Sequence, residues 1–172
     1  MKSGIDSKIM GRLVEAIRLS ASCFNNQPWK VVLVDEDGPL DELRESLSRG
    51  NRWATRAPLI IVVTAERDKD CLLSDRREYF LFDCGLALGQ MMLMATSMGL
   101  IAHPIAGYRP EVVREVLSIP EDQVIITLVI CGHPGNDTSL LSEKQLRDER
   151  ERPERKPLNE SFYLGRWGVP FK

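Results

Sequence analysis

The chain is poor in the residues that most often carry side-chain chemistry. Of its 172 residues only two are histidines, His103 and His133, and four are cysteines, Cys23, Cys71, Cys84 and Cys131. No two cysteines stand in CxxC spacing, which argues against a zinc ribbon and a thioredoxin-type dithiol. A disulfide scaffold would be short, secreted and rich in cysteine, and this chain is not. Cys131-Gly132-His133 lacks a second ligand pair, so no metal is expected. Charge of one sign is also missing. Lys plus Arg is 23 and Asp plus Glu is 25, a formal net charge of −2. A nucleic-acid or anionic-membrane partner would need a clustered basic face, so neither is expected. No charge-free apolar run reaches the roughly 18 residues that a bilayer span needs. Met1 to Lys8 has no signal-peptide core, which makes a cytoplasmic chain the expectation. Nucleophile elbow, P-loop, HExxH and a strand-linked GxGxxG are absent. An active protein with so little side-chain chemistry borrows it from a cofactor.

What is present is an ordinary globular pattern, 43% hydrophobic and 28% charged. Met10, Leu13, Val14 and Ile17 form one apolar stripe, which predicts a helix from Ser7 to Leu19 with Asp6 as its N-cap. Trp29–Val34, Leu59–Thr64 and Val124–Cys131 read as buried strands. Pro39 reads as a first helical position, with Leu40, Leu43 and Leu47 inward. Residues 66–77 read as a charged, exposed connection. From Tyr79 to Met98 the chain is apolar almost all round, with Asp83 its one charge, and reads as a helix buried on most sides, ended by Gly99. A further helix starts at Pro110. Cys84 and Cys131 read as buried thiols. The division expected is a core of residues 1–135 and an extension of residues 136–172. The extension is mostly charged from Glu143 to Lys156 and ends in Phe162, Tyr163, Trp167 and Phe171. Such aromatics are not left in water, so the extension is expected to dock on a partner subunit.

Two connections stand out. Ser22-Cys23-Phe24-Asn25-Asn26-Gln27-Pro28-Trp29 crowds amides, a hydroxyl and aromatics in front of a strand. It is either a plain turn with Trp29 in the core or a ligand loop. Ala102-His103-Pro104-Ile105-Ala106-Gly107-Tyr108 is nearly free of charge. It is either a buried connection or a place where backbone approaches a flat ligand.

At these residues the chain resembles the FMN-dependent nitroreductase family. Residues 20–29 are similar to that family's A-P-S-x-x-N-x-Q-P-W, and residues 99–108 to its G-L-x-x-x-P-I-x-G-F. Asn51-Arg52-Trp53-Ala54, Asp83-Cys84-Gly85 and Arg155-Lys156-Pro157-Leu158-Asn159-Glu160 match further stretches in the same order. The resemblance implies an α+β, three-layer fold. A central, mainly antiparallel sheet would be flanked by helices, and the C-terminal tail would wrap the partner of a homodimer. It implies FMN at the dimer interface, NAD(P)H as donor, and ping-pong reduction of a small electron-poor acceptor such as a nitroaromatic or quinone. Ser22, Asn25 and Gln27 would approach the flavin. Pro104, Ile105, Ala106 and Gly107 would supply backbone at its N5 and O4 edge, and Arg155, assisted by Arg152, would reach the phosphate. No side chain need act as an acid or base. Two departures stand beside this. Ala21 replaces a proline, and the chain opens Met1-Lys2-Ser3 where the family has R-R-S-x-R. Two charge-assisted contacts contribute about 3–6 kcal/mol together, so flavin is expected to bind roughly 10²- to 10⁴-fold more weakly. The alternative is a non-catalytic dimer of the same fold that has lost flavin and acts as a binding or regulatory protein.

Overall fold

The computed structural model describes residues 4–151 and 153–171. They fall into two compact units, Met1–Asn136 and Asp137–Lys172.

The first unit is built on a four-stranded antiparallel sheet in the order β1-β2-β4-β3, comprising Trp29–Val34 (β1), Leu59–Glu66 (β2), Ile101–Ile105 (β3) and Gln123–Gly132 (β4). β2 and β4 are central, and both read as apolar runs because both of their faces are covered. On one face Leu59, Ile61, Val63 and Val129 pack with Leu13 and Ile17 of α1 (Ser7–Arg18) and Ala87 and Met91 of α3 (Tyr79–Ser97). On the other, Ile60, Val62, Leu128 and Ile130 pack with Leu40 and Leu43 of α2 (Asp37–Glu45) and Val113 of α4 (Pro110–Leu117). The period of two along β2 thus feeds two cores, and the result is the three-layer α+β arrangement expected. A bulge interrupts β2–β4 pairing. Val63 faces Thr127 and Thr64 faces Ile125, leaving Ile126 extra. Such an added residue bends its strand and raises the local twist, here toward the end of the sheet that carries both candidate loops.

Five expectations need correction. β1 is not a buried strand, because it lies at the edge of the sheet and only Val34 of it is buried. α2 begins at Asp37, so Pro39 lies inside the first turn, where its missing N–H costs nothing. Half of the 102–108 connection is strand β3, tolerated despite Pro104 because β3 is an edge strand. α3 is not covered on most sides within this chain. Phe80, Cys84, Ala87, Met91 and Ala95 are buried, whereas Leu81, Phe82, Leu86 and Leu93 are exposed, Leu93 by 74%. By length and composition α3 would suit a bilayer, but its buried stripe is packed on α1 and the sheet. The 66–77 connection is not uniformly exposed, since Asp70 within it is buried.

The second unit contains α5 (Glu143–Arg150) and the short α6 (Leu158–Ser161). A capping box between Ser142 and Gln145 starts α5, and no residue of α5 is buried. After α6 the chain doubles back, with Phe171 N donating to Phe162 O at 2.9 Å and Tyr163 packing on Trp167 at 4.8 Å between ring centroids. Trp167 is nonetheless 89% exposed, and Phe162 and Phe171 are exposed too.

Candidate functional site

The 22–27 loop is a short 3-10 turn, Cys23–Asn25, between α1 and β1. Three of its residues lie in the left-handed region, Phe24 (φ 47°), Asn25 (φ 60°) and Gln27 (φ 49°). Asn tolerates this conformation, but Phe and Gln do not readily. The loop is held in shape by bonds inside and outside it. Gln27 N donates to Ser22 Oγ at 3.0 Å, and Gln27 Nε2 to Asn25 O at 3.1 Å. Cys23 N donates to Asp83 Oδ2 on α3 at 2.6 Å. Asn26 Nδ2 donates to Asp70 Oδ1 at 3.2 Å and contacts Cys71 Sγ at 3.8 Å. A disulfide joins Cys23 to Cys71, with Cα atoms 6.2 Å apart. The cysteine pattern did not anticipate this bond. The outcome is a rigid loop that presents the side chains of Asn25 and Gln27 outward, with Phe24 93% exposed between them. Ser22 is half-buried, and its oxygen serves Gln27, which leaves its hydroxyl proton for another acceptor.

The second segment begins at the end of β3. Ile105 is buried in the core with its carbonyl accepting from Thr127 Oγ1 at 2.9 Å, so its side chain faces away from any ligand. Pro104 is exposed and has no N–H. Gly107 O accepts from Ser48 N and from Asn51 Nδ2, both at 2.9 Å. A Cβ on Gly107 would come within 2.5 Å of Ser48 Oγ and 2.6 Å of Asn51 Nδ2. Glycine is therefore favoured here by the Ser48 and Asn51 side-chain ends pressed against it, which a Cβ would push aside, and not by a positive φ. With the carbonyl side tied down, the Ala106 and Gly107 N–H groups have no acceptor among the described residues.

β1 begins and β3 ends at the same end of the sheet, where β4 starts. The two loops therefore share one end. They lie on opposite edges, three strand spacings or about 14 Å apart across the sheet, and are offset along it as well, since Ile105 pairs with Leu128 whereas Trp29 is level with Val124. Arg155 is exposed and belongs to the second unit. Arg152 and the opening Met1, Lys2 and Ser3 lie outside the described residues. Two site residues had a visible signal without a legible role. Asn51 and Asp83 both sit in the recognised stretches, but their contacts to Gly107 O and Cys23 N are tertiary. Asp83 is 1% exposed. Burial, and then the nearby charge of Asp70, raise its pKa despite the Cys23 amide, which lowers it. Burial also pushes the Cys84 thiol up to about 12 and Cys131 to about 11, so both are inert thiols, as expected.

A family model described as the nitroreductase family matches residues 41–133, more than half of the chain. This chain belongs to the nitroreductase family. The matched span contains Asn51, Asp83 and residues 104–107, while the 22–27 loop and Arg155 fall outside it. A 15.4 kDa protein of Mycolicibacterium smegmatis, described as uncharacterized, is 35% identical over 124 residues, covering 72% of this chain and 81% of that one. An NADH dehydrogenase of Thermus thermophilus is 25% identical, covering 79% of this chain and 80% of its own. Among solved structures, an oxidoreductase containing FMN superposes with a TM-score of 0.81 at 25% identity, over 98% of this chain and 86% of that one. A nitroreductase family protein of Clostridium difficile 630 superposes with a TM-score of 0.78 at 22% identity, over 96% and 90%.

Proposed function

We propose that this chain is an FMN-dependent oxidoreductase that takes reducing equivalents from NADH or NADPH and delivers them to a small electron-poor acceptor, a nitroaromatic or a quinone. The observation that carries this is the backbone at Ala106 and Gly107. Its carbonyl side is fixed by Ser48 and Asn51 and its amides are left for a ligand. The residues fit FMN. Amide donors suit the electron-rich edge of its ring, and a site walled by glycine and alanine admits a flat system closely. When bound, FMN supplies hydride acceptance and hydride return in two separate half-reactions.

The chain's own part is positioning and electrostatics. The Ala106 and Gly107 amide dipoles are pre-aimed, so they stabilise developing negative charge without reorganising. The rigid 22–27 loop offers the Ser22 hydroxyl and the Asn25 and Gln27 amides as uncharged hydrogen-bonding groups. Arg155 is the candidate phosphate partner. No general acid or base from a side chain is called for. The two loops lie on opposite edges of one sheet, and an apolar face of α3 is exposed. Both features support a homodimer in which the 22–27 loop of one chain completes the 104–107 site of the other, with the 137–172 extension on the partner.

The test is direct. Protein purified in the presence of FMN and desalted should keep a flavin absorbance. It should oxidise NADH or NADPH only when acceptor is present, with parallel double-reciprocal plots. Sedimentation should show a dimer. Protein that takes up no FMN at saturating concentration refutes the reading and favours a non-catalytic member of the family.

A further inference from the structure

Where the 22–27 loop meets the 66–78 connection lies a cluster of side chains that the proposed reaction does not use. Cys23 Sγ, Cys71 Sγ and a carboxylate oxygen of Asp70 lie within 4.8 Å of one another. Asp70 is 7% exposed, and its Oδ1 accepts from Asn26 Nδ2. Its Oδ2 is buried without any partner. Asp83, equally enclosed, stands close by and holds the Cys23 amide. Among the described residues no lysine, arginine or histidine pairs with either carboxylate. Two enclosed carboxyls, Asp70 and Asp83, thus lie side by side next to two sulfurs with no cation paired to them among the described residues, a costly arrangement that a proton shared between the two or a bound metal relieves.

We propose that Cys23, Cys71 and Asp70 form a redox-gated site for a thiophilic divalent cation, zinc in its reduced form and a disulfide in its oxidised form. The disulfide is opened by a dithiol reductant, which gives up two electrons and two protons and becomes a disulfide itself. The metal ion then displaces the two thiol protons, forms two metal–sulfur bonds and takes the Asp70 carboxylate as its third ligand, with water in the fourth place. Two zinc–sulfur bonds of about 2.3 Å at a tetrahedral angle put the sulfurs about 3.8 Å apart. A disulfide has them at about 2.05 Å. Side-chain rotation covers the difference with the Cα atoms left 6.2 Å apart. Asn26 Nδ2, 3.8 Å from Cys71 Sγ, is placed to donate to the thiolate, and Asp83 orients the Cys23 ligand through its amide. Either state ties the 22–27 loop to the 66–78 connection. Where thiols are kept reduced, the metal takes over the work of the disulfide.

The experiment uses the full chain, with Co²⁺ as a visible probe. After reduction with dithiothreitol and desalting without air, Co²⁺ should bind at one per chain with a thiolate-to-cobalt charge-transfer band, and Zn²⁺ should displace it. The oxidised protein should show no band. Cys71→Ser should abolish the band. Asp70→Asn should weaken Co²⁺ binding at least about tenfold while leaving the circular dichroism unchanged. Cys131→Ser should keep the band. Alkylation confirms that Cys23 and Cys71 are free in the reduced sample. A reduced sample with both thiols free and no band overturns the proposal, and so does a band that survives Cys71→Ser. Flavin content measured on the same samples keeps the two readings apart, because loss of flavin with the band intact counts against the FMN reading alone.

Discussion

Gly107→Ala isolates the packing that holds the candidate flavin segment. The new Cβ would lie 2.5 Å from Ser48 Oγ, 2.6 Å from Asn51 Nδ2 and 3.4 Å from Ser48 Cβ. The last contact is ordinary and the first two are not. Ser48 Oγ has to leave its rotamer, at about 0.5–1.5 kcal/mol. Asn51 Nδ2 has to retreat from Gly107 O, to which it now donates at 2.9 Å, at about 0.5–1.5 kcal/mol. Against this, alanine at a position without positive φ stabilises by about 0.4–1 kcal/mol through the unfolded chain. The net expectation is a loss between about 0 and 2.6 kcal/mol, with a middle value of about 1.3 kcal/mol, read as a lower urea midpoint at unchanged slope. In a Ser48→Ala, Asn51→Ala background the same substitution should be neutral or stabilising, because the clashing atoms are gone. Flavin uptake should fall in the single variant, since the carbonyl restraint that aims the amides is loosened. A Gly107→Ala effect that is the same in the parent and in the double background would refute the account, and so would a cost that persists in the double background. Either result would show that the glycine is not there to admit Ser48 and Asn51.

Phe24→Gly should raise the melting temperature by a degree or more. It removes a left-handed φ of 47° from a side chain that is 93% exposed and packs on little. Asp83→Asn should flatten the pH dependence of stability. Burial raises the folded pKa of Asp83, so the native state holds more protons than the unfolded one above the ordinary carboxylate value of 3.8. Stability therefore falls as pH rises from there through the raised value, and chemical denaturation across that window should show the slope in the parent only. Arg155→Ala should weaken FMN binding about tenfold or more and remove its salt dependence, followed by fluorescence quenching. A charge change at Arg147 should do neither.

How far the fold could be read follows from what each element shows locally. The bounds of β1 were legible to the residue because Trp29–Val34 is apolar and β-branched but for Lys30 and lies between Pro28 and an acidic turn, whereas its place at the sheet edge was not. β2 and β4 were legible within two residues for the same reason. β3 was not, because a histidine and a proline break its pattern, and only the open edge of the sheet makes them acceptable. α3 was found at its full length. Its exposed face was missed, because an all-apolar helix carries no sign of which side its own chain covers. The Ser22–Gln27 and Pro104–Gly107 segments were visible as family-like stretches. Their anchors were not. Ser48 N and Asn51 Nδ2 reach Gly107 from α2's far side of the chain sequence, and Cys71 reaches Cys23 across a separation of 48 residues. Such pairings are made by the fold, and no spacing rule contains them.

The anchors matter because the 22–27 loop is not stable by itself. Two of its three left-handed residues, Phe24 and Gln27, cost about 1–2 kcal/mol each, while Asn25 tolerates the conformation. The hydrogen bonds inside the loop, Asn25 N to Ser22 O, Asn26 N to Cys23 O, Gln27 N to Ser22 Oγ and Gln27 Nε2 to Asn25 O, contribute about 0.5–1.5 kcal/mol each, those from Gln27 being exposed and at the low end. The balance must come from outside. The Cys23 amide on the Asp83 carboxylate is a charge-assisted bond in an enclosed place. The link from Cys23 to Cys71 closes a long loop, which confines the unfolded chain by about 4 kcal/mol at most. The conformation that presents Asn25 and Gln27 is thus set by α3 and by the 66–78 connection rather than by the loop's own sequence. A change at Asp83 or Cys71, neither of which is a proposed flavin contact, should therefore loosen the loop as effectively as a change within it.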